Sequence, residues 1–449
     1  MLRSLGIVKL LLLSARLLVM VRSLLPISAL LLSDALLLLG HGLLLTLLPV
    51  AANQLGFSAV QVALTGSAYF LGIIGGCLAT PHVLKRVGHI RGFAVLACAY
   101  LIFTLLFAWL QSFVLWLALR FALGAGVSGL YMIIESWLNE RADATNRGTI
   151  LSFYSMLNLL MITLAQQLLL LADASYPLLF SIAAIFVALS IIPVSLTLSL
   201  APAKVNSVRV SFKKVWQHSH IAMIGAVILG LVTGAFWSLG PVFAAESNFS
   251  NAQLAMFMSA SVLGGACFQI PVGRFSDRYD RRIILIYNAL AGGLISLAIV
   301  LASYWSGFAG WPAAILAFFW GGTCMTSYAI CLAHVNDNAT AKDFLPIGSG
   351  MLITYGISSA IGGPLAAFLM GIMGAKGLYA YMTFFLSLFA VIVIVRRRSH
   401  VLPDTSDSHP TFQPSAGITT PAAFEIDPRT EHLPEHNTPD ASASGRNQP

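Results

Sequence analysis

The sequence predicts an all-α integral membrane protein: twelve transmembrane helices in two pseudo-symmetric six-helix bundles. Three observations predict it. Hydrophobic residues fill 58% of 449 positions and charged residues only 9%, whereas a soluble domain is about half apolar and a quarter charged. The apolar residues gather into twelve runs of membrane-crossing length. The basic residues gather into alternate connections between those runs.

Taken in order, the first 24 residues, MLRSLGIVKLLLLSARLLVMVRSL, are interrupted by Arg3, Lys9, Arg16 and Arg22 too often for a span. Two readings stay open: a basic segment lying on the membrane surface, or translation starting at Met20. A helix rises about 1.5 Å per residue, so a hydrocarbon layer of about 30 Å needs roughly 20 residues. Runs of that length lie near 26–53, 60–81, 93–110, 113–137, 148–171 and 177–200. Six more lie near 219–245, 253–272, 283–304, 311–333, 347–373 and 377–395. They are too long for barrel strands and do not alternate with period two, so helices are expected. From Ser399 onward, Pro, Ser, Thr, Asp and Asn dominate, and the tail is expected to be disordered.

With both termini in the cytoplasm, nearly every basic loop residue falls on the inner side. Lys376 alone lies opposite. That asymmetry follows the positive-inside rule and checks the number of spans. The formal charge of +8 therefore reads as attachment to the inner leaflet, and no nucleic-acid partner is expected. Cys77, Cys98, Cys267, Cys324 and Cys331 all lie inside apolar runs without metal spacing, so no metal and no cofactor are expected.

The longest internal loop, 201–217, is read as a cytoplasmic linker between bundles 25–200 and 218–398. GGCLATPHVLKRVGHIR (75–91) after the second span echoes GGACFQIPVGRFSDRYDRR (264–282) after the eighth. Internal repeats of this kind build secondary transporters, with the site near the midplane between repeats.

On these residues the chain resembles the major facilitator superfamily over roughly residues 25–398. Gly273, Asp277, Arg278, Arg281 and Arg282 match its cytoplasmic signature G-x-x-x-D-R-x-G-R-R, with Asp280 where glycine is usual. In the first-half copy Arg86 and Gly88 fit, while Pro81 and Lys85 depart from the pattern. Arg120-x-x-x-Gly124-x-Gly126 is similar to the family's fourth-span arginine motif, and ESWLNERADATNRGTILSFY looks like the YcaD-type branch. The resemblance implies that these charges pair with neighbouring helix ends as a cytoplasmic gate. Glu135 is assigned to that gate, paired with Arg141 or Arg147. The resemblance also implies that Arg120 partners substrate or a coupling carboxylate.

Charge inside a span costs about 2.5–3.5 kcal/mol on insertion scales. Asp34 and His41, seven residues apart on nearly one face of the first span, can each take and release a proton, and they are the expected coupling groups with Arg120. Asp34 and Arg120 fall on opposite sides of the midplane, which favours a relay over a direct ion pair. Tyr154, Asn158, Gln166, Trp237, Gln269, Tyr328 and Tyr355 are the polar and aromatic candidates for a cavity lining. GAGVSG (124–129) fits a dinucleotide pattern but follows no strand, so it is read as tight helix packing. No phosphate-binding loop signature occurs, which argues against an ATP-driven pump.

The expected protein is a non-enzymatic, proton-coupled secondary carrier of a small organic solute. It is expected to be monomeric and multi-pass in the plasma (inner) membrane, with substrate, H+ and the lipid bilayer as partners. An efflux antiporter and a non-transporting receptor or scaffold are the alternatives.

Overall fold

The computed structural model describes residues 27–142, 146–173, 177–197, 210–337, 339–340, 343–399 and 420–425. The N-terminal extension with Met20, most of the linker before Val210 and most of the tail lie outside the described residues. Among the described residues there are twelve long helices and no strand. The first half holds α1 (Ser28–Gln54), α2 (Ala59–Val87), α3 (His89–Trp109), α4 (Phe113–Arg141), α5 (Arg147–Ala165) and α6 (Pro177–Ser195). α5 continues as a 3-10 turn over Gln166–Leu171. A short α7 (Phe212–His218) precedes the second half: α8 (His220–Glu246), α9 (Asn251–Arg278), α10 (Arg281–Ala302), α11 (Trp311–Asn336), α12 (Phe344–Met373) and α13 (Gly377–Ser399).

Each expected span contains one of these long helices. Several outrun their apolar stretch at the end that carries the basic loops, hereafter the basic end. α2 reaches Val87, α4 Arg141 and α9 Arg278. Backbone hydrogen bonding does not stop at the hydrocarbon edge, and long basic side chains extend from it to water. The last part of the expected linker is helical. Ser211 Oγ accepts from Lys214 N at 3.3 Å and starts α7, and Lys214 Nζ meets Asp343 Oδ1 at 2.6 Å at the start of α12.

The internal repeat survives as shared construction. A serine–glutamine capping box opens α2 (Ser58, Gln61) and its counterpart α9 (Ser250, Gln253). α2 is pinched against α4 where Gly72 faces the Phe121 carbonyl and Gly124 faces that of Tyr69. α9 is pinched against α11 where Gly264 faces Phe318 O and Gly321 faces Ser261 O. A side chain at any of the four would overlap the facing backbone, so small residues set these approaches.

The halves meet through α2 with α8 and α12, α1 with α8, and α5 with α9. The hydrogen bonds described between them lie toward the end opposite the basic one. Ser67 Oγ donates to the Ala360 carbonyl, Gln167 Nε2 to Ser259 Oγ at 2.7 Å, and Asn251 Nδ2 to Asp173 Oδ1 at 2.7 Å. At the basic end a different element touches both halves. The 3-10 turn Pro421–Glu425 packs on α4 and α12. The tail expected to lack structure thus has one segment with a defined place.

Candidate functional site

Two buried polar clusters stack through the first half. In the cluster toward the basic end, Asp34 of α1 is fully buried, and neither carboxylate oxygen has a hydrogen-bond partner among the described residues. Glu135 of α4 is equally buried and lies within electrostatic reach of Asp34. Tyr154 OH donates to Glu135 Oε1 at 3.2 Å. The Thr420 backbone N–H donates to Oε2 at 3.0 Å, and the Thr420 hydroxyl donates to the same oxygen. Glu135 therefore does not pair with Arg141 or Arg147 among the described residues. Tyr154 and the tail supply its donors instead.

The second cluster surrounds His41. Its Nδ1 lies 2.7 Å from Tyr100 OH and its Nε2 lies 3.1 Å from Tyr69 OH. The Arg120 guanidinium stands over the Tyr69 ring, 5.5 Å from the centroid. Arg120 is buried and has no ion pair with any described carboxylate. Tyr131 sits between the clusters: its ring centroid is 6.3 Å from that of His41, and it lies within electrostatic reach of Asp34 and Glu135. Asp34 and Arg120 make no direct pair, and histidine and tyrosines fill the interval. Those tyrosines were missed by sequence reasoning because an aromatic in an apolar run reads as packing.

Beside these clusters, between the halves, is a small cavity of about 60 Å³. Asn158, Trp237, Gln269, Tyr328 and Tyr355 line it, together with Phe70, Tyr131 and Thr233, and no charged residue is among its lining. Its apolar lining with a few polar groups suits a small organic ligand, once the halves part to widen it. The Tyr328 and Tyr355 rings lie 4.6 Å apart. Tyr328 OH and both amide atoms of Asn158 are buried without a well-formed hydrogen bond among the described residues. Phe70 and Trp237 also line a much smaller space that Arg120 borders, so they stand between Arg120 and the main cavity.

Two expected lining residues lie elsewhere. Gln166 Nε2 donates to the Gly42 carbonyl at 3.0 Å, and Gln166 Oε1 accepts from Thr46 Oγ1. It joins α5 to α1. Tyr154 is consumed by Glu135. Both are interhelical hydrogen bonds, the commoner use of a polar side chain within a bundle.

The charge-rich turn between α9 and α10 ties helix ends together. Arg281, 2% exposed, reaches Asp337 Oδ2 at the end of α11 (2.8 Å) and Asp277 Oδ1 in α9 (3.1 Å). Its Nη1 also donates to Ser276 Oγ at 2.9 Å, and Ser276 Oγ donates to Gly273 O. Asp280, the departure from the signature, caps α10 by accepting from Arg282 N at 2.9 Å and also meets Arg282 Nε at 3.1 Å. Burial alone would raise this carboxyl's pKa. The hydrogen bonds from Arg282 outweigh burial and hold it below the usual range. At the equivalent joint of the first half, Gly88 makes the turn with φ +77°, a conformation that favours glycine. Arg86 and Arg278 are exposed, and Arg147 opens α5. The partners described for the Arg281 cluster all belong to the second half.

Among the described residues, twelve long helices in two like halves with a cavity between them define a membrane transport protein. The chain belongs to the major facilitator superfamily, which it matches over residues 30–345 and 222–425. Members of this family are transporters, not enzymes. The chain is 26% identical over 329 residues to the uncharacterized MFS-type transporter YcaD of Escherichia coli, covering 72% of this chain and 84% of that protein. Among solved structures it is similar to a point mutant of the nucleoside transporter NupG, with TM-score 0.70 and 15% identity over 82% of this chain and 99% of that one. It is also similar to a bacterial homologue of the human lysosomal transporter Spinster in an inward-facing, occupied conformation (TM-score 0.67, 16% identity, 84% and 97% covered). A D-xylose–proton symporter superposes with TM-score 0.61 at 14% identity, covering 87% and 99%. At these identities the likeness concerns the fold.

Proposed function

We propose that this transporter is a proton-coupled secondary carrier of a small, uncharged, ring-bearing organic solute, working by alternating access. The basic end faces the cytoplasm, and the membrane is the plasma (inner) membrane. The solute binds in the central cavity, where Tyr328, Tyr355 and Trp237 offer aromatic faces and Asn158 offers one donor and one acceptor. The absence of charge from the described lining supports a neutral solute, because a charged one would lose its hydration there without compensation. The proton symporter among its structural relatives is compatible with this coupling.

The observation that carries the coupling is Asp34, wholly buried with both oxygens unpartnered. Burying a carboxylate without donors is costly unless it carries a proton. Taking one up from one side and releasing it to the other ties helix α1 to the gradient. Each proton supplies about 1.4 kcal/mol per pH unit and about 2.3 kcal/mol per 100 mV. His41, Tyr131 and Arg120 continue the polar track toward the opposite end.

The test is uptake of candidate solutes into proteoliposomes with an imposed proton gradient. Saturable accumulation that collapses with a protonophore is expected. Asp34→Asn is expected to abolish accumulation and retain solute exchange. Unchanged accumulation by Asp34→Asn would remove that residue from the mechanism, and the absence of flux for every solute would favour a receptor or scaffold.

A further inference from the structure

We propose that Thr420–Glu425, a segment of the chain's own tail, is a removable plug seated in the basic-end mouth of the bundle. The segment reads TPAAFE, and Pro421 begins its 3-10 turn. Thr420 is 1% exposed and places two donors on the single oxygen Glu135 Oε2. Ala422 is buried with Cys77 and Met132 in an apolar cluster separate from the main core, with Ile73 packed against it. The turn rests on α4 of one half and α12 of the other. Polar and apolar contacts therefore both fix this segment, and it spans the seam that alternating access must open.

The chemistry fits something that comes and goes. Without the segment, the described donor left to the buried Glu135 carboxylate is Tyr154 OH, so water or another donor must replace the tail when it leaves. Twenty residues, 400–419, join the end of α13 to Thr420. Fully extended they reach about 65 Å, ample to let the segment leave and return. Belonging to the same chain makes its docking intramolecular, at a raised local concentration, so individually weak contacts keep the seat filled. The seat lies at the basic end, where Glu135 is within electrostatic reach of the cavity-lining Tyr131. While filled, it excludes solute from that side and holds α4 to α12.

The test uses Cys77 as its reporter and needs no substrate, so it is decided separately from the transport reading. Protein in proteoliposomes or nanodiscs is exposed to a water-soluble maleimide, and modification of the Cys77 peptide is followed by mass spectrometry. The full chain is expected to react slowly. A chain ending at Ser399 is expected to react at least tenfold faster. A chain ending at Glu425 keeps the segment and is expected to react as slowly as the full chain. Full-length Ala422→Glu, which puts a charge into the apolar seat, is expected to match the Ser399-ended chain, and it decides the matter if truncation impairs folding. Equal Cys77 reactivity in the full chain and in Ala422→Glu overturns the proposal. Fast reaction of the chain ending at Glu425 overturns the assignment to this segment.

Discussion

Arg281 Nε meets Asp337 Oδ2 at 2.8 Å and locks the beginning of α10 to the end of α11. The same guanidinium holds Asp277 and Ser276 near the end of α9. One buried cation thus gathers three helix ends, which explains why a chain with so little charge concentrates arginine and aspartate at this turn. Its removal takes a buried cation away from both Asp277 and Asp337. Arg281→Ala is expected to destabilise the folded protein by roughly 3 kcal/mol, lowering the thermal midpoint in detergent by several degrees. Arg281→Lys keeps the charge but loses the planar fork, and its midpoint is expected to fall in between. A midpoint unchanged in Arg281→Ala would show that the tie carries no stability.

The α7–α12 junction carries a pH dependence. The hydrogen bond from Lys214 and that from the Thr340 hydroxyl hold the Asp343 carboxyl below its usual range, with Lys214 and His218 adding favourable charge. A carboxylate with a lowered folded value stabilises the fold above its unfolded value of about 3.9. That contribution is lost as pH falls through the lower folded value. The pair is partly exposed, so Asp343→Asn is expected to cost only about 0.5–1 kcal/mol. The deficit should shrink as pH falls from about 5 to below about 4, read from thermal midpoints of both proteins across that range. A deficit that grows between about pH 5 and pH 3 contradicts the assignment.

The helices were legible because a bilayer demands uninterrupted apolar length, and twelve such runs stand in the chain. The ends of α2, α4 and α9 were less so, because the charges that mark the hydrocarbon edge do not end a helix. The cavity was legible only in part. Asn158 and Gln166 are both polar residues of the fifth span, yet one faces the cavity and the other bonds α1 through Gly42 and Thr46. Helical spacing does not separate those environments. The partner of Glu135 was not legible at all, since Thr420 lies 285 positions away in a stretch whose composition reads as disorder.

Solute recognition and proton coupling are expected to separate by mutation. Asn158 and Tyr328 line the cavity with unused hydrogen-bonding capacity, whereas Asp34 is absent from its lining. Losing one hydrogen bond of about 1 to 1.5 kcal/mol weakens binding roughly five- to tenfold. Asn158→Leu and Tyr328→Phe are each expected to raise KM by about that factor while the gradient-driven accumulation ratio at saturation stays near that of the native chain. Asp34→Asn is expected to do the reverse, keeping exchange KM and losing accumulation. Kinetics of uptake and exchange in the same proteoliposomes distinguish the patterns. Loss of accumulation in Asn158→Leu at saturating solute would place coupling inside the cavity.

Removing the tail segment is expected to change rate without changing the site it covers. Entry from the basic end requires Thr420 to leave Glu135 and Ala422 to leave Cys77 and Met132, and none of these residues lines the cavity. If the plug is seated most of the time, the fraction of carriers open to that side is small, and the initial rate of solute entry from that side scales with that fraction. Deleting residues 400–449 is then expected to raise that rate several-fold. Thr420→Val keeps the backbone donor and loses the hydroxyl, so it is expected to give a smaller rise. The affinity of solute for the opened cavity should be the same in all three proteins, because the lining is untouched. The measurement is the initial rate of entry and the concentration dependence of exchange, with liposomes sorted by orientation. A rate that is unchanged on deletion, while Cys77 becomes reactive, would mean that the plug opens faster than the halves rock and never limits the cycle.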